Sequence, residues 1–269
     1  MEEFFIKNIA SKHTGDDGAV IDGYVYASDS FFENVHFKTS WMSLEEIARK
    51  AVLVNLSDIL VMNAKPKYAL LNIGFPKSYT KADVKALAEG FRKCAQKYGF
   101  EIIGGDTIED SKLSISLTFI GVTKNPIYRR VKKGELLAYT GELGRVKKDL
   151  LRLLRGQKVS KNSKFIKPVL RDAFFYRASK YITGALDISD GLFKELERVS
   201  KLSNVGFEFL KPVDKNSACS GEEYEILFSF NKKHLKAIKN IAKATRTKIT
   251  VFALAKRGRF KSPCRENHF

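Results

Sequence analysis

The chain predicts an α+β fold, because segments with helical spacing of apolar residues alternate with strand-like segments along its length. Three stretches carry this prediction. Residues 43–62 have the pattern of a helix buried on all sides, and residues 113–122 alternate apolar and polar side chains as a half-buried strand does. Residues 19–29 contain an Asp22-Gly23 turn between two short strand patterns, which is typical of a β-hairpin.

The helix predicted at residues 43–62 also contains the first candidate site. Ser43 and Glu46 form a capping box, so the helix is expected to begin there. Asn55 and Asp58 are three residues apart, on one face of an otherwise apolar run. A bare carboxylate in such surroundings destabilises the fold unless something neutralises it. A salt bridge, a hydrogen-bond network or a metal ion would each do so, and this stretch alone leaves all three open.

The other elements follow from the same spacing rules and from turn and capping residues. Further strands are expected at residues 68–75, 100–103, 136–141, 205–210, 222–230 and 248–255, with another running from 184 toward 187. Further helices are expected at residues 4–12, 80–98, 169–181 and 192–202, from 232 onward, and in the basic stretch before a polar linker at 156–164. Lys124-Asn125-Pro126 is the expected junction between an N-terminal domain, residues 1–125, and a C-terminal domain, residues 126–269.

The composition indicates a globular protein. With 269 residues, 44% of them apolar and 12% aromatic, the chain can bury one large core or two ordinary ones. No run reaches the roughly 18 apolar residues of a membrane span. The start of the sequence, Met1 to Phe5, is acidic where a signal peptide would be basic. The three cysteines, Cys94, Cys219 and Cys264, form no metal-spaced pair and no even disulfide set. We therefore expect a reduced, cytoplasmic protein that is not inserted in a membrane.

The net charge of +18 has more than one interpretation. Nucleic-acid binding is one, but Lys and Arg are spread along the chain instead of forming one arm or stripe. The densest zone, residues 147–167, covers a predicted helix and the linker after it. A solvated basic face is the favoured interpretation. Such a charge would also attract polyanionic small molecules such as nucleotides.

Acidic residues occur at the ends of several separate predicted elements: Asp16 and Asp17, Asp29, Asp58, Asp106, and Asp187 with Asp190. Gly104 and Gly105, just before Asp106, would let the backbone approach a ligand closely. If clustered, the carboxylates would repel one another unless Mg²⁺ bound them, with phosphate oxygens completing its coordination shell. The sequence contains neither a P-loop motif nor the protein-kinase motifs.

Six short motifs occur in an order that spans nearly the whole chain. They are Gly15-Asp16-Asp17 and residues 29–37 (DSFFENVHF), 54–58 (VNLSD), 104–107 (GGDT), 187–191 (DISDG) and 221–227 (GEEYEIL). Each is weak alone. The ordered set resembles the thiamine-monophosphate kinase family, within the superfamily of aminoimidazole ribonucleotide synthetase-like ATP-binding proteins. Val35-His36-Phe37 and the closing His268-Phe269 favour this family over its siblings.

The resemblance implies roles for individual residues. The ligands of several Mg²⁺ ions would be Asp17, Ser28, Asp29, Asp58, Asp106, Asp187 and Asp190, with Ser28 contributing a backbone or hydroxyl oxygen. The catalytic residues among them would be Asp29, Asp58, Asp106 and Asp190. The ATP contacts would be Gly105, Asp106, Ser189 and one arginine, either Arg129 or Arg130. His36 and Glu222 would contact thiamine monophosphate, although a lone histidine beside aromatic residues is also typical of packing.

The resemblance also implies an architecture and a reaction. The fold would be the two-domain aminoimidazole ribonucleotide synthetase-like fold, with a homodimer formed through the sheets of the N-terminal domains and an α/β C-terminal domain. ATP would be the co-substrate and would transfer a phosphoryl group directly, in line, to thiamine monophosphate. The acceptor is a phosphate monoester with a second pKa of about 6, so no strong general base is required. Mg²⁺ and an arginine would relieve the charge crowding between the two polyanions.

Three departures from the family pattern bear on substrate affinity or specificity. Glu266 stands where an aromatic residue is usual, Glu222-Glu223-Tyr224 replaces Glu-Asp-Tyr, and the segment from Asp190 to Gly221 is short. A sibling enzyme is therefore one alternative. A selenophosphate synthetase would need a reactive cysteine near the start, and the hydrogenase-maturation sibling a C-terminal cysteine, whereas an aminoimidazole ribonucleotide synthetase is not excluded by motifs. A different class is a basic nucleic-acid-binding protein, whose salt-dependent binding would survive loss of the aspartates.

Overall fold

Two β-sheets organise the computed structural model, which describes residues 2–9 and 11–265. The strands of the first sheet are β1 (Ala19–Ile21), β2 (Tyr24–Phe32), β3 (Lys65–Pro76), β4 (Glu101–Gly104), β5 (Thr107–Asp110) and β6 (Ser114–Val122). Their order is β1-β2-β6-β3-β4, and β5 also pairs with β3. The strands of the second sheet are β7 (Leu136–Thr140), β8 (Ile182–Asp187), β9 (Val205–Phe209), β10 (Ile226–Phe230) and β11 (Ile249–Arg257). Their order is β8-β10-β7-β11-β9.

The helices complete an α+β fold, as predicted. They are α1 (Glu2–Ile9), α2 (Leu44–Val61), α3 (Lys81–Tyr98), α4 (Arg145–Leu154), α5 (Asp172–Ala178), α6 (Leu192–Ser203), α7 (Lys215–Ala218) and α8 (Leu235–Ala244), with 3₁₀ turns at Ser179–Tyr181 and Lys232–His234. The division of the chain into domains at residues 125 and 126 stays a prediction. Each hydrophobic core contains residues from both parts of the chain. Phe165 packs into the core beneath the first sheet, and Val61 packs into a core of the second sheet.

Helix α2 lies between the two sheets. The predicted capping box at its start is confirmed, because Ser43 and Glu46 each accept the other's backbone N–H. The helix packs against β2 and β6 of the first sheet and reaches β8 of the second. Its residues from Ile47 to Val61 are almost all buried, as an all-round apolar sequence requires. Any polar group on this helix is therefore held inside the protein.

The first sheet follows the predicted alternation. Along β6, Ile115, Leu117 and Phe119 are fully buried on one face, while the residues between them are partly exposed. The β1–β2 hairpin is also confirmed. Its turn has φ of 50° at Asp22 and 80° at Gly23, which is the combination that a type I′ turn needs.

The structure differs from the predicted elements at several places. The helix expected at residues 4–12 is Glu2–Ile9, and the strand expected at 222–230 begins only at Ile226. Residues 222–225 are instead a loop, because the N–H groups of Glu222 and Tyr224 donate to carbonyls of the loop after β8. Their apolar and aromatic neighbours gave a strand pattern that these loop-to-loop bonds override. Strand β5 and helix α7, which have only four residues each, are not among the predicted elements.

A disulfide joins Cys219 and Cys264, so the prediction of no disulfide pair is wrong. The two residues are 45 positions apart in sequence, but the fold places the turn after α7 beside the segment that follows β11, with Cα atoms 5.5 Å apart. Cys94 is free and buried. The expectation of a fully reduced protein, which depended on cysteine spacing, loses that support.

Some predictions concern residues beyond the described range. Glu266, His268 and Phe269 lie outside it, so the closing motif of the sequence has no structural account. Among the described residues, no helix combines the length and apolar character needed to cross a membrane.

A buried ion-pair network stabilises the second sheet. Glu225 is fully buried and accepts two hydrogen bonds from Arg171, at 2.9 and 2.8 Å, and one from Thr140 at 2.7 Å. Lys164 lies 2.9 Å from the same carboxylate. Burial alone would raise the pKa of Glu225, but the hydrogen bonds from Arg171 and the charge of Lys164 hold that pKa below its usual value. The network therefore stabilises the fold at pH values above the ordinary glutamate pKa.

We predict that Arg171→Met lowers the free energy of unfolding by about 3 kcal/mol near pH 7, because a buried carboxylate loses a bidentate partner. The loss should shrink near pH 3, since a lowered folded pKa contributes stability that disappears as pH falls through it. Urea denaturation at both pH values measures this. The matched control is Arg92→Met, which removes a similar bidentate pair with Glu89 on the exposed surface of α3 and should leave the midpoint nearly unchanged. Equal effects of the two substitutions would contradict the prediction.

Candidate active site

Four aspartates from separate parts of the chain meet beside α2, and we call them the acidic cluster: Asp17, Asp29, Asp58 and Asp187. Carboxylate oxygens of Asp17, Asp58 and Asp187 lie within 4.8 Å of one another. The carboxyl of Asp29 lies close enough to that of Asp58 for a hydrogen bond between them, which offsets part of the rise that burial causes in the pKa of Asp29. Asp17 and Asp187 are buried, and Asp58 keeps a small accessible surface. The structure thus brings together four of the seven residues that the sequence nominates as metal ligands.

Asp29 is positioned by the strand it belongs to and by α2. It lies on the same face of β2 as buried Ala27 and Phe31, which is the face that packs against the helix. Its backbone N–H donates to Asn55 Oδ1 at 2.9 Å. The amide of Asn55 in turn donates to the carbonyl of Ala51 at 3.0 Å, so this fully buried side chain is satisfied within the protein. Asn55 therefore ties strand to helix one turn before Asp58.

Burial and mutual repulsion dominate the electrostatics of the acidic cluster. Burial raises the pKa of Asp58 well above its ordinary value, and the charges of Asp29 and Asp187 raise it further. Burial and the charge of Asp17 likewise raise the pKa of Asp187, against a hydrogen bond from Ser57 Oγ to Asp187 Oδ2 at 2.5 Å. Carboxylates that resist ionisation in this way attract either protons or cations.

Arg129 supplies a positive charge to the acidic cluster. Its guanidinium donates to both oxygens of Asp17, at 2.9 and 2.5 Å, and its backbone N–H donates to Asp16 Oδ1 at 2.7 Å. Burial alone would lower the pKa of Arg129, but the charge and hydrogen bonds of Asp17 outweigh it and raise that pKa. Arg130 is exposed, and its carbonyl accepts a bond from Ser229. Of the two arginines left open by the sequence, Arg129 is the one directed into the cluster.

Asp190 belongs to a neighbouring network. It follows β8 in the loop that precedes α6, and its Oδ2 accepts a hydrogen bond from Arg198 at 2.5 Å. Arg198 also donates to both oxygens of the fully buried Glu195, each at 3.0 Å. The backbone N–H of Asp190 donates to the same Glu195 at 3.1 Å. Its role as a metal ligand and catalytic residue stays a prediction.

The Gly105-Asp106 pair lies between β4 and β5. Asp106 is exposed, and its backbone N–H donates to Asn72 Oδ1 at 2.8 Å. Gly105 has φ of 141°, and a Cβ there would lie 1.8 Å from the carbonyl oxygen of Leu71. The close approach of β3 therefore requires this glycine whether or not a ligand contacts it. Among the described residues, the group of close carboxylates consists of Asp17, Asp58 and Asp187 and does not include Asp106.

Ser28 has its hydroxyl on the outer side of the sheet. Strand residues alternate between faces, so Ser28 and Asp29 point in opposite directions from β2. The Ser28 hydroxyl is 2.8 Å from Thr118 Oγ1 and also donates to the Leu117 carbonyl. The hydroxyl of Ser28 therefore points away from the face of β2 that carries Asp29, and the role of Ser28 as a ligand through its backbone oxygen stays a prediction.

The two residues predicted to contact substrate have defined surroundings. His36 Nδ1 accepts the backbone N–H of Phe32 at 3.0 Å, so a neutral ring carries its proton on Nε2. The ring of His36 also stacks on Phe31, with centroids 5.5 Å apart. Glu222 accepts a hydrogen bond from Lys50 at 2.7 Å. Its backbone N–H donates to the carbonyl of Ser189 at 2.6 Å, which joins the DISDG and GEEYEIL loops.

Sequence reasoning missed several polar residues of this region. Ser57, Lys50 and Arg198 each contact a predicted site residue. The signal for Ser57 was its position next to Asp58. The signal for Lys50 was a charged residue in the apolar run of α2, and that for Arg198 was its i,i+3 spacing from Glu195. None of these signals names the partner: Asp187 is 130 positions from Ser57, Glu222 is 172 positions from Lys50, and Asp190 precedes Arg198 by eight positions, from outside helix α6.

The acidic cluster fits a divalent metal ion. Carboxylate oxygens are the ligands that Mg²⁺ prefers. Ligand oxygens of one Mg²⁺ are about 2.9 Å apart when adjacent and about 4.2 Å apart when opposite. The three oxygens of the cluster lie within 4.8 Å of one another, so moderate side-chain shifts would bring them into one coordination shell. The buried, mutually repelling carboxylates also gain the most from a cation. These residues can therefore hold a metal ion.

Comparison with known proteins gives the chain its family context. The family model for AIR synthase related protein, N-terminal domain, matches residues 15–123. A solved structure described as AaThiL complexed with AMPPCP and TMP superimposes with a TM-score of 0.86, covering 96% of this chain and 90% of that one. At 23% identity this similarity concerns the fold, which is the aminoimidazole ribonucleotide synthetase-like fold that the sequence predicted.

Two curated relatives carry the family assignment. The thiamine-monophosphate kinase of Pyrococcus horikoshii is 31% identical over 255 residues, which cover 86% of this chain and 81% of the relative. That of Methanocaldococcus jannaschii is 34% identical over 267 residues, which cover 86% of this chain and 83% of the relative. With identity at this level over most of both sequences, the chain belongs to the thiamine-monophosphate kinase family.

Proposed function

We propose that this chain transfers a phosphoryl group from ATP to thiamine monophosphate in a Mg²⁺-dependent reaction that forms thiamine diphosphate. The observation that carries the proposal is the acidic cluster, with three carboxylates within 4.8 Å of one another and Arg129 beside them, in a chain of this family. The relatives bear the name of this activity, and the superimposed structure is described with AMPPCP and TMP.

The proposal divides the site between metal, nucleotide and acceptor. The acidic cluster would hold Mg²⁺, with Asp106, Asp190 and the backbone of Ser28 as further candidate ligands. The candidate ATP contacts are Gly105, Asp106, Ser189 and Arg129. His36 and Glu222 are the candidate contacts of thiamine monophosphate. Asp29, Asp58, Asp106 and Asp190 stay the candidate catalytic residues, because each would touch a metal ion or phosphate.

The chemistry asks more for charge neutralisation than for proton transfer. Bound Mg²⁺ supplies positive charge to the phosphate oxygens and orients them for in-line transfer. Arg129 adds a planar guanidinium, which suits phosphate oxygens because it can donate two parallel hydrogen bonds. The acceptor phosphate, with a second pKa of about 6, is mostly ionised at neutral pH, so the chain's carboxylates need not act as strong bases.

We expect purified protein, ATP, Mg²⁺ and thiamine monophosphate to yield thiamine diphosphate, detected by chromatography. Because the reaction depends on cations that offset crowded negative charge, EDTA should reduce turnover more than about a hundredfold. Excess Mg²⁺ should then restore it, which is the control for chelator damage. Absence of product while ATP still binds would contradict the proposal and favour a sibling ATP-dependent enzyme.

We predict that Asp58→Asn gives a more stable but inactive protein. The substitution removes a buried charge that Asp29 and Asp187 repel, so the melting temperature in EDTA should rise by about 2–4 °C. Turnover should fall by at least about a thousandfold, and the Mg²⁺-induced rise in melting temperature should disappear. Differential scanning fluorimetry and the turnover assay measure these effects.

The matched control for Asp58→Asn is Asp22→Asn. Asp22 is an exposed turn residue with φ of 50°, a conformation that asparagine tolerates equally well. This variant should keep wild-type turnover and wild-type response to Mg²⁺. If Asp58→Asn kept near-normal turnover, the assignment of the acidic cluster as the metal site would be wrong.

A homodimer formed through the first sheet accompanies the proposed function. The outer face of this sheet exposes large side chains, including Tyr24, Tyr26 and Leu70, at 36–37% of their surface. Light scattering should give a particle of about twice the 30.4 kDa chain mass. Tyr26→Glu should halve that mass by placing charge in the interface, whereas Leu151→Glu, on an exposed position of α4, should not. A monomeric wild-type protein would contradict this prediction.

Two further predictions stay with the proposal. A cytoplasmic location suits a reaction that uses ATP and Mg²⁺, although structural disulfides such as Cys219–Cys264 are uncommon in that compartment.

Nucleic-acid binding is the alternative function from a different class of protein. Such binding would depend strongly on salt and would persist in Asp58→Asn.

A further inference from the structure

Lys50 is a fully buried lysine that the proposed reaction does not use. Its ammonium donates to Glu222 Oε2 at 2.7 Å and lies over the ring of Phe165, 3.8 Å from the ring centroid. The ring of Phe31 is on a second side, at 5.7 Å. These contacts give the charge one carboxylate and two aromatic faces, which are the groups that stabilise an ammonium away from water.

A structural role alone explains this arrangement poorly. Lysine is almost never fully buried unless it is paired, and well-packed apolar residues of similar volume often support folding as well as a buried ion pair does. Lys50 also lies on the apolar helix α2, where a methionine or leucine would fit the surrounding sequence pattern. The charge at this position therefore needs a reason beyond packing.

Glu222 shows that its own position is constrained. It has φ of 55°, in the left-handed region that non-glycine residues rarely adopt. Such a backbone persists only when the surroundings fix it, and such residues cluster at functional sites. Here the N–H bond to Ser189 fixes the backbone, and Lys50 fixes the carboxylate. Main chain and side chain of Glu222 are thus held from two independent directions.

Lys50 also connects Glu222 to the second candidate substrate residue. The ring of Phe31 faces the Lys50 ammonium. The same ring stacks with the rings of His36 and Phe37. His36 and Glu222 are 186 positions apart in sequence, and yet both border the group formed by Lys50 and Phe31. Burial raises the pKa of Tyr224, and the nearby charges of Glu222, Asp29 and Asp58 raise it further. Tyr224 therefore lies near all three carboxylates, which places the group formed by Lys50 and Phe31 next to the acidic cluster.

We propose that Lys50 is a positioning residue that orients Glu222 for the acceptor substrate. Lys50 holds Oε2, so the second carboxylate oxygen, Oε1, keeps a fixed direction in which to accept an N–H bond or face a positive charge. Thiamine monophosphate offers both, because it contains an aminopyrimidine and a cationic thiazolium ring. Glu222 is partly accessible, with 19% of its side-chain surface exposed, as a ligand contact requires. This inference rests on the proposed function.

The expected signature is specific to the acceptor. In Lys50→Met, the stem of the side chain stays and the charge is lost, so Glu222 loses its fixed orientation. KM for thiamine monophosphate should rise by about tenfold, the effect of losing one charge-assisted hydrogen bond. KM for ATP should change by less than about twofold, because Glu222 is joined to the predicted nucleotide contact Ser189 by main-chain atoms, which the substitution does not change. A merely structural role would shift both constants or neither.

A double-mutant cycle tests whether Lys50 acts through Glu222. Lys50→Met, Glu222→Gln and the double variant are compared by steady-state kinetics, after melting curves show that each is folded. If Lys50 works through Glu222, the double variant should have the same KM for thiamine monophosphate as Glu222→Gln, within about twofold. Multiplying losses, or an unchanged KM in folded Lys50→Met, would overturn the proposal.

Two controls make the result decisive. Lys93→Met removes another lysine–glutamate pair of α2 and α3, between exposed Lys93 and Glu45, and should change neither KM. If Lys50→Met does not fold, Phe165→Leu tests the same group, since it removes the aromatic face while leaving Lys50 and Glu222 in place. It should raise KM for thiamine monophosphate by about threefold, and no change would overturn the proposal. Wild-type protein without turnover would instead refute the proposed function itself.

Discussion

Repulsion among the carboxylates beside α2 is the constraint on which the rest of this structure depends. Asp17, Asp29, Asp58 and Asp187 are brought together in surroundings that raise the pKa values of three of them, namely Asp29, Asp58 and Asp187. Such an arrangement forms only if the apolar contacts around it are strong enough to overcome the repulsion. Helix α2 provides those contacts, since nearly every residue from Ile47 to Val61 is buried against one sheet or the other. A helix that is buried on nearly all sides therefore carries one of the mutually repelling carboxylates, Asp58.

The same constraint makes the site a property of both sheets together. Asp29 comes from β2 and Asp187 from the end of β8, and α2 lies between these strands with Asp58. Arg129, in the connection between β6 and β7, closes the arrangement by pairing with Asp17. A change that loosened either sheet from α2 would separate the carboxylates. We infer that packing in the two core regions around α2 and metal affinity are coupled through this helix.

How far the sequence predicts such a site depends on the range of each contact. The capping box at Ser43, the hairpin turn at Asp22 and the burial of α2 are local patterns, and they could be predicted. The order of the aspartate motifs nominated Asp29, Asp58 and Asp187 because family motifs record what geometry requires. The Lys50–Glu222 pair, the Cys219–Cys264 disulfide and the loop at residues 222–225 could not be predicted, since each depends on contacts 33 to 172 positions apart. Propensity and periodicity contain no information at that range.

Charge balance separates the two sides of the site. On one side, Glu222 is matched by Lys50, one positive charge to one negative, and that pair needs no ligand to be stable. On the other side, Arg129 brings one positive charge to the four carboxylates of the acidic cluster. That imbalance makes the cluster a place where bound cations lower the free energy of the folded chain. Glu222 is thus a fixed, neutralised carboxylate on the side where the proposed function places the organic substrate. The acidic cluster is an unbalanced set of carboxylates on the side where metal ions would bring the missing positive charge and polyphosphate would bind to those ions.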